Sequence, residues 1–198
     1  MTRTATISRK TGETDVSLSL GLSGTGAGTR STGVGFFDHM LDLLARHGRL
    51  DLEVKVTGDL QTGAHHTVED TGIVLGQALD QALGDRRGIF RYGHAVVPMD
   101  EARATAAIDL SGRPFTLLDA ALLPHGITGG LDHELVEEFF RAVASAARLT
   151  LHIDLQAGTN AHHMIEACFK AFARALRAAV AIDPRESGVP STKGTLTT

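Results

Sequence analysis

Two short strings in the sequence carry the types and spacing of residues that do chemistry: His65-His66-Thr67-Val68-Glu69 and His162-His163-Met164-Ile165-Glu166. Imidazole nitrogens and carboxylate oxygens ligate metals, and on a helix residues four apart share a face. His65 with Glu69, and His162 with Glu166, are therefore each placed to grip one ion. The second histidines, His66 and His163, are turned by about 100° around the axis and point to a second site or to a neighbouring chain's site. A helix N-terminus disfavours protonated imidazole, which helps keep the neutral form that a metal requires. One such string would read as surface or capping histidines, but its recurrence reads as metal binding. Without a thiolate motif, this donor set favours six-coordinate manganese over structural zinc, with two ions per chain as the natural count.

The elements that position these residues are duplicated. Laying Arg49–Glu53 over Arg148–His152 fixes an offset of 99, and a two-residue gap then superposes the two histidine strings. The same offset carries His39 onto Glu138, which makes these two the completing ligands beside His65, His66, Glu69, His162, His163 and Glu166. Alternating Val16, Leu18, Leu20 and Leu22 predict a strand, and glycine-rich 24–35 reads as a mobile loop. Helical spacing covers Phe36 to His47 and again about His65 to Gly84, with a short strand through Leu52, Val54 and Val56 between them. The second half repeats this order, with strands around Ile89–Val97, Ala104–Leu110 and Phe115–Leu118, then a helix, a strand and a helix from about Ala161 to Ile182. The expectation is an α+β fold, one domain over 1–198 containing ββαβα-type repeats of about 1–86 and 87–182. The repeats pack back to back through sheets or helices, with helices against four-stranded sheets. The tail, 183–198, has no periodicity and reads as a frayed terminus.

The chain has 198 residues, 42% of them hydrophobic, enough to bury a core. A formal charge of −4 provides no basic field for nucleic acid or for an anionic membrane. The single cysteine, Cys168, excludes an intramolecular disulfide and fits the cytoplasm; between Ala167 and Phe169 it reads as core filler. Met1 to Lys10 holds no apolar signal core, and no apolar run is long enough for a membrane helix, so a soluble, unprocessed chain is expected.

Taken in order, FFDHML, HHTVED, PMDEA, DLSGRP, HHMIEACFKAFARAL and PSTKG resemble the imidazoleglycerol-phosphate dehydratase family over nearly the whole chain. The resemblance implies the duplicated fold of the ribosomal protein S5 domain 2-like class, a cubic homo-oligomer of 24 subunits and two Mn2+ per subunit. It also implies a phosphorylated imidazole substrate that loses water in histidine biosynthesis, with His65, Glu69 and His163 in the catalytic centre. No carbonyl acidifies the substrate's C–H bond, so ionising the imidazole ring is the alternative source of push, and metal charge favours it. Glu13, otherwise a solvated carboxylate at a strand end, is by family position the acid or base; Asp100 and Glu101 are weaker candidates. Arg91, Arg113, Lys170, Ser191 and Lys193 match the family's substrate-binding positions and suit a phosphate. His39 and His47 also match substrate positions, although His47 serves equally well as a helix-end cap.

Two departures stand out. Glu138 occupies a position that is often histidine in the family, and Ala64 one where aspartate is common and would orient His65. His152 reads as a core histidine, and His94, His125 and His133 receive no role. Two other readings remain open: a dinuclear metallohydrolase acting on a phosphate ester, and a metal-dependent assembly protein without catalysis.

Overall fold

Period-two burial sets the strands and helical spacing sets the helices. The computed structural model describes residues 3–196. Their order is β1 (Thr4–Lys10), β2 (Thr14–Gly21), β3 (Arg30–Ser31), α1 (Gly35–Gly48), β4 (Asp51–Gly58), α2 (His65–Leu83), β5 (Tyr92–Met99), β6 (Ala102–Asp109) and β7 (Phe115–Asp119). A small hairpin of β8 (Ile127–Thr128) and β9 (Leu131–Asp132) follows, then α3 (Leu135–Ala146), β10 (Thr150–Ala157) and α4 (Ala161–Val180). Val16, Leu18 and Leu20 of β2 and Leu52, Val54 and Val56 of β4 are buried, while the residues between them look outward.

The two larger sheets share one topology. The first runs β1-β2-β4-β3 and the second β5-β6-β10-β7, each with three antiparallel strands and a parallel fourth at the edge. The helix-to-strand corners repeat as well. Arg49 and Arg148 both take left-handed backbone, φ 54° and 51°. Leu50 N–H then donates to Ala45 O, and Leu149 N–H to Ala144 O, both at 3.0 Å. These pairs preserve the offset of 99 read from the sequence.

The halves meet through their helices. α2 lies on β1, β2 and β4, α4 lies on β5, β6 and β10, and between the sheets α1 packs against α4 and α2 against α3. Gly72 and Gly76 let α2 approach α3 closely: a Cβ on Gly76 would stand 2.6 Å from both Ala146 Cβ and Val143 O. Aromatic packing of Phe37 with Phe139 (5.4 Å between centroids) and of Phe139 with Phe169 (5.2 Å) joins α1, α3 and α4 in the centre.

Two expectations need correction. The glycine-rich stretch is tethered rather than free: Asp51 accepts hydrogen bonds from Thr25 N (2.8 Å) and Ala27 N (3.0 Å), and the stretch supplies β3 to the sheet edge. Nor does the tail fray through residue 196; the expectation for 197–198 lies outside the described residues. Gly88 N–H donates to Gly188 O, Arg91 Nη1 to Pro190 O (2.8 Å) and Arg86 Nη1 to Leu196 O (3.5 Å), and Leu196 is buried. No helix among the described residues is long and apolar enough to cross a membrane.

Candidate active site

The crossing of α1 and α4 draws three expected ligands together. His39 comes from α1, while His162 and Glu166 come from the first turns of α4, whose N-terminus Asn160 caps by accepting from His162 N–H. Glu166 Oε2 lies 3.2 Å from His162 Nε2 and 3.6 Å from His39 Nε2. One ligand atom from each of the three residues falls within 4.8 Å of the others, the only such cluster of three among the described residues. The donor set of two imidazoles and a carboxylate suits a divalent transition metal. Phe36 packs its ring 4.8 Å from that of His162.

Glu166 is nearly buried. Burial works to raise its pKa, but the Lys170 ammonium, which pairs with its other oxygen, together with His39 and His162 brings the net shift below the ordinary value. Lys170 therefore stands at Glu166 and at Met99 Sδ (3.3 Å), not in the cavity that gathers the other expected phosphate-binding residues. His47 lies close by, its pKa lowered by burial and by the charges of Lys170 and Arg174.

The equivalent cluster of the first half is open. His65 Nε2 is 3.6 Å from Glu69 Oε2, and Glu69 lines a cleft of about 370 Å³ with Glu138. Glu138 instead pairs with Arg141 at 3.5 Å, and Ala64 supplies no side-chain cap to α2.

His66 and His163 point away from these faces, each toward carboxylates. His66 Nδ1 lies 3.0 Å from Asp59 Oδ2, and its Nε2 lies 3.6 Å from Glu13 Oε1. His163 Nδ1 lies 2.8 Å from Glu101 Oε2, and its Nε2 lies 3.8 Å from Asp100 Oδ2. Both rings are shifted toward the protonated form, His66 by Asp59 and His163 by Glu101. Glu101 is held down at about 2 by His163 and by the Asn160 and Thr159 amides. Glu13 reaches His66 because the β1–β2 turn is docked: Thr14 hydroxyl donates to buried Asp70, and Arg9 pairs with the same carboxylate at 2.5 Å.

A separate cavity of about 840 Å³ gathers Arg91, Arg113, Ser191 and Lys193. Within it, Arg91 forms a fork with Asp109 (2.7 and 3.1 Å) and donates to Pro190 O, so it holds the segment that carries Ser191 and Lys193. Arg113 is largely exposed and only 4.0 Å from Asp109, leaving its guanidinium open to an anion.

A family model for imidazoleglycerol-phosphate dehydratase matches residues 32–176, a span that runs from before His39 to beyond Lys170. The chain belongs to the imidazoleglycerol-phosphate dehydratase family. Membership makes it an enzyme of the hydro-lyase class. Imidazoleglycerol-phosphate dehydratases from Methylorubrum extorquens and Acetivibrio thermocellus are each 58% identical to it, over 98% and 99% of this chain and 100% of theirs. The crystal structure of the Staphylococcus aureus dehydratase superposes with a TM-score of 0.82 at 43% identity, covering 91% of this chain and 99% of that one. The Pyrococcus furiosus dehydratase, solved in complex with (S)-C348, gives 0.82 at 36% identity, covering 96% of this chain and 100% of that one. The duplicated α+β fold is thus that of solved dehydratases.

Asp59 carries no signal in the sequence, and Glu101 stands there only as a weaker acid–base candidate. Their partners stand seven and 62 positions away in the chain. Only the signal that Glu101 sits in the second half's counterpart of the Glu13 turn was available to single it out.

Proposed function

We propose that the chain converts imidazoleglycerol phosphate to imidazole-acetol phosphate in histidine biosynthesis, as a manganese-dependent cytoplasmic enzyme with two ions per subunit. The observation that carries this reading is the convergence of His39, His162 and Glu166 on one point. His65, Glu69, Glu138, His66 and His163 are the other ligands, shared between ions and between subunits. A bound divalent ion would supply the positive charge that makes an attached imidazole ring easier to ionise.

The chain's own residues do the rest. Arg113, Lys193 and Ser191 hold the phosphate, Arg91 positions the tail that brings two of them there, and Lys170 and His47 complete the substrate surface. The reaction breaks a C–H bond and the neighbouring C–OH bond, releases water and leaves an enol that relaxes to the ketone. Glu13 moves the proton, since its carboxylate is half exposed and its one ion-pair partner among the described residues is His66. His39, His65, Glu69 and His162 are partly exposed, and Tyr92, Val96 and Phe115 expose apolar area on the second sheet, both of which suit a homo-oligomer, with 24 subunits as the expected number.

Purified protein given imidazoleglycerol phosphate and manganese should form the ketone with its phosphate intact. Release of free phosphate would favour metal-assisted ester hydrolysis, and no turnover at all would remove the assignment. Glu13→Gln should lower kcat by roughly 10²–10⁴-fold with oligomer size unchanged by light scattering, whereas full activity would remove Glu13 from the proton transfer.

A further inference from the structure

In both halves the second histidine of the pair is gripped at Nδ1 by a carboxylate, and the two carboxylates come from different places in the repeat. Asp59 lies on the connection between β4 and α2, and Glu101 in the turn between β5 and β6. A carboxylate ion only accepts hydrogen bonds, so a neutral ring beside it carries its proton on Nδ1 and leaves the Nε2 lone pair outward.

Glu101 is the counterpart of Glu13. Each directly precedes the residue at or next to the start of the second strand, Thr14 of β2 and Ala102 of β6. Their surroundings differ. Glu101 Oε2 takes the His163 ring, while Oε1 accepts from Asn160 N (2.8 Å) and Thr159 N (3.2 Å) at the entry to α4. Glu13 makes no comparable clamp, because in the first half Asp59 already holds the histidine.

We propose that Asp59 and Glu101 are positioning residues that lock His66 and His163 in the tautomer offering Nε2 to a divalent metal, and that Asp59, by taking this duty in the first half, leaves Glu13 free to react. This rests on the reading of His66 and His163 as metal ligands. Carboxylates that orient ligating histidines through the second ring nitrogen are a general device of metal sites.

Glu101→Gln gives the sharper test. The two backbone N–H groups at residues 159 and 160 require an acceptor, so the amide oxygen stays with them and the NH₂ group faces His163 Nδ1. That group only donates, which drives the ring proton to Nε2 and blocks the ligand. Glu101→Ala removes the clamp but leaves the ring free to choose its tautomer.

Manganese binding to the purified, metal-stripped full chain, followed by the electron paramagnetic resonance of free Mn2+, reads the difference without turnover. The expected order of affinity is wild type, then Glu101→Ala, then Glu101→Gln, with the glutamine variant weaker than wild type by about 10–100-fold at the affected site. Its metal-free thermal midpoint should match that of the wild type. A purely structural clamp predicts the reverse, with Gln close to wild type and Ala the weakest, and that result overturns the proposal while leaving the ligand reading intact. If the wild type itself binds no manganese, the ligand reading falls and the proposal with it.

Discussion

Cys168 lies on the buried face of α4, and burial pushes its thiol up to about 12. At pH 8 the group is a thiol, not a thiolate, and it should resist a disulfide reagent in the native protein and react within minutes once the chain is unfolded. Rapid native labelling, followed by absorbance, would contradict this packing. Its role as core filler was legible from its neighbours Ala167 and Phe169. The histidine–glutamate strings were equally legible, because four-residue spacing on a helix fixes what shares a face before any tertiary structure is known. Other side chains were harder to read. Lys170 is four residues beyond Glu166 on α4, and that spacing favours the ion pair the structure contains; the family position instead suggested phosphate. Glu101 and Asp59 acquire their meaning only when a turn or connection folds against a helix N-terminus, which periodicity does not encode.

At the scale of elements, the four helices follow from apolar spacing, and the strands that flank them follow from alternation. The two-residue β3 was not legible, because a glycine-rich run carries no period. It exists because Gly28, with φ 108°, lets the backbone pass where any Cβ would stand 2.2 Å from Leu52 O, and because Asp51 ties down the preceding residues. Hydrogen bonds from the Thr25 and Ala27 amides lower the Asp51 pKa below its ordinary 3.8. A depressed carboxylate stabilises the fold above its unfolded pKa and loses that contribution as pH falls through its folded value. Amide exchange at residues 25–29 should therefore be slow at neutral pH and gain protection loss only below about pH 4, earlier than the sheet core. Exchange in this segment that is as slow at pH 2.5 as the core would disprove the tether. The α2–α3 contact has its own test. Gly76→Leu forces a side chain into the space held by Ala146 and Val143 O, and should lower stability by roughly 1–3 kcal/mol or more in urea titrations; an unchanged midpoint would mean that the helices sit further apart.

Across the whole molecule, one buried guanidinium ties the ends of several elements together. Arg86, fully buried, pairs with Asp80 at the end of α2 and donates to the carbonyls of Leu110, Ala147 and Leu196. Burial lowers its pKa, with Asp80 acting in the opposite direction. Arg86→Met strands Asp80 with Arg148 alone and should cost about 3 kcal/mol, while releasing the tail to proteolysis ahead of global unfolding. Tail cleavage no faster than in wild type would show that the Arg91–Pro190 and Gly88–Gly188 hydrogen bonds secure it without Arg86. The duplication was legible as an offset, but its packing was not: the sequence left open whether sheets or helices meet. The observed answer has a consequence for dissecting the chain. Since α1 rests on α4 and α2 on α3, each half shields the other's apolar stripe. A cut near exposed Arg87 should yield two fragments that precipitate when made separately and recover a soluble complex when co-produced.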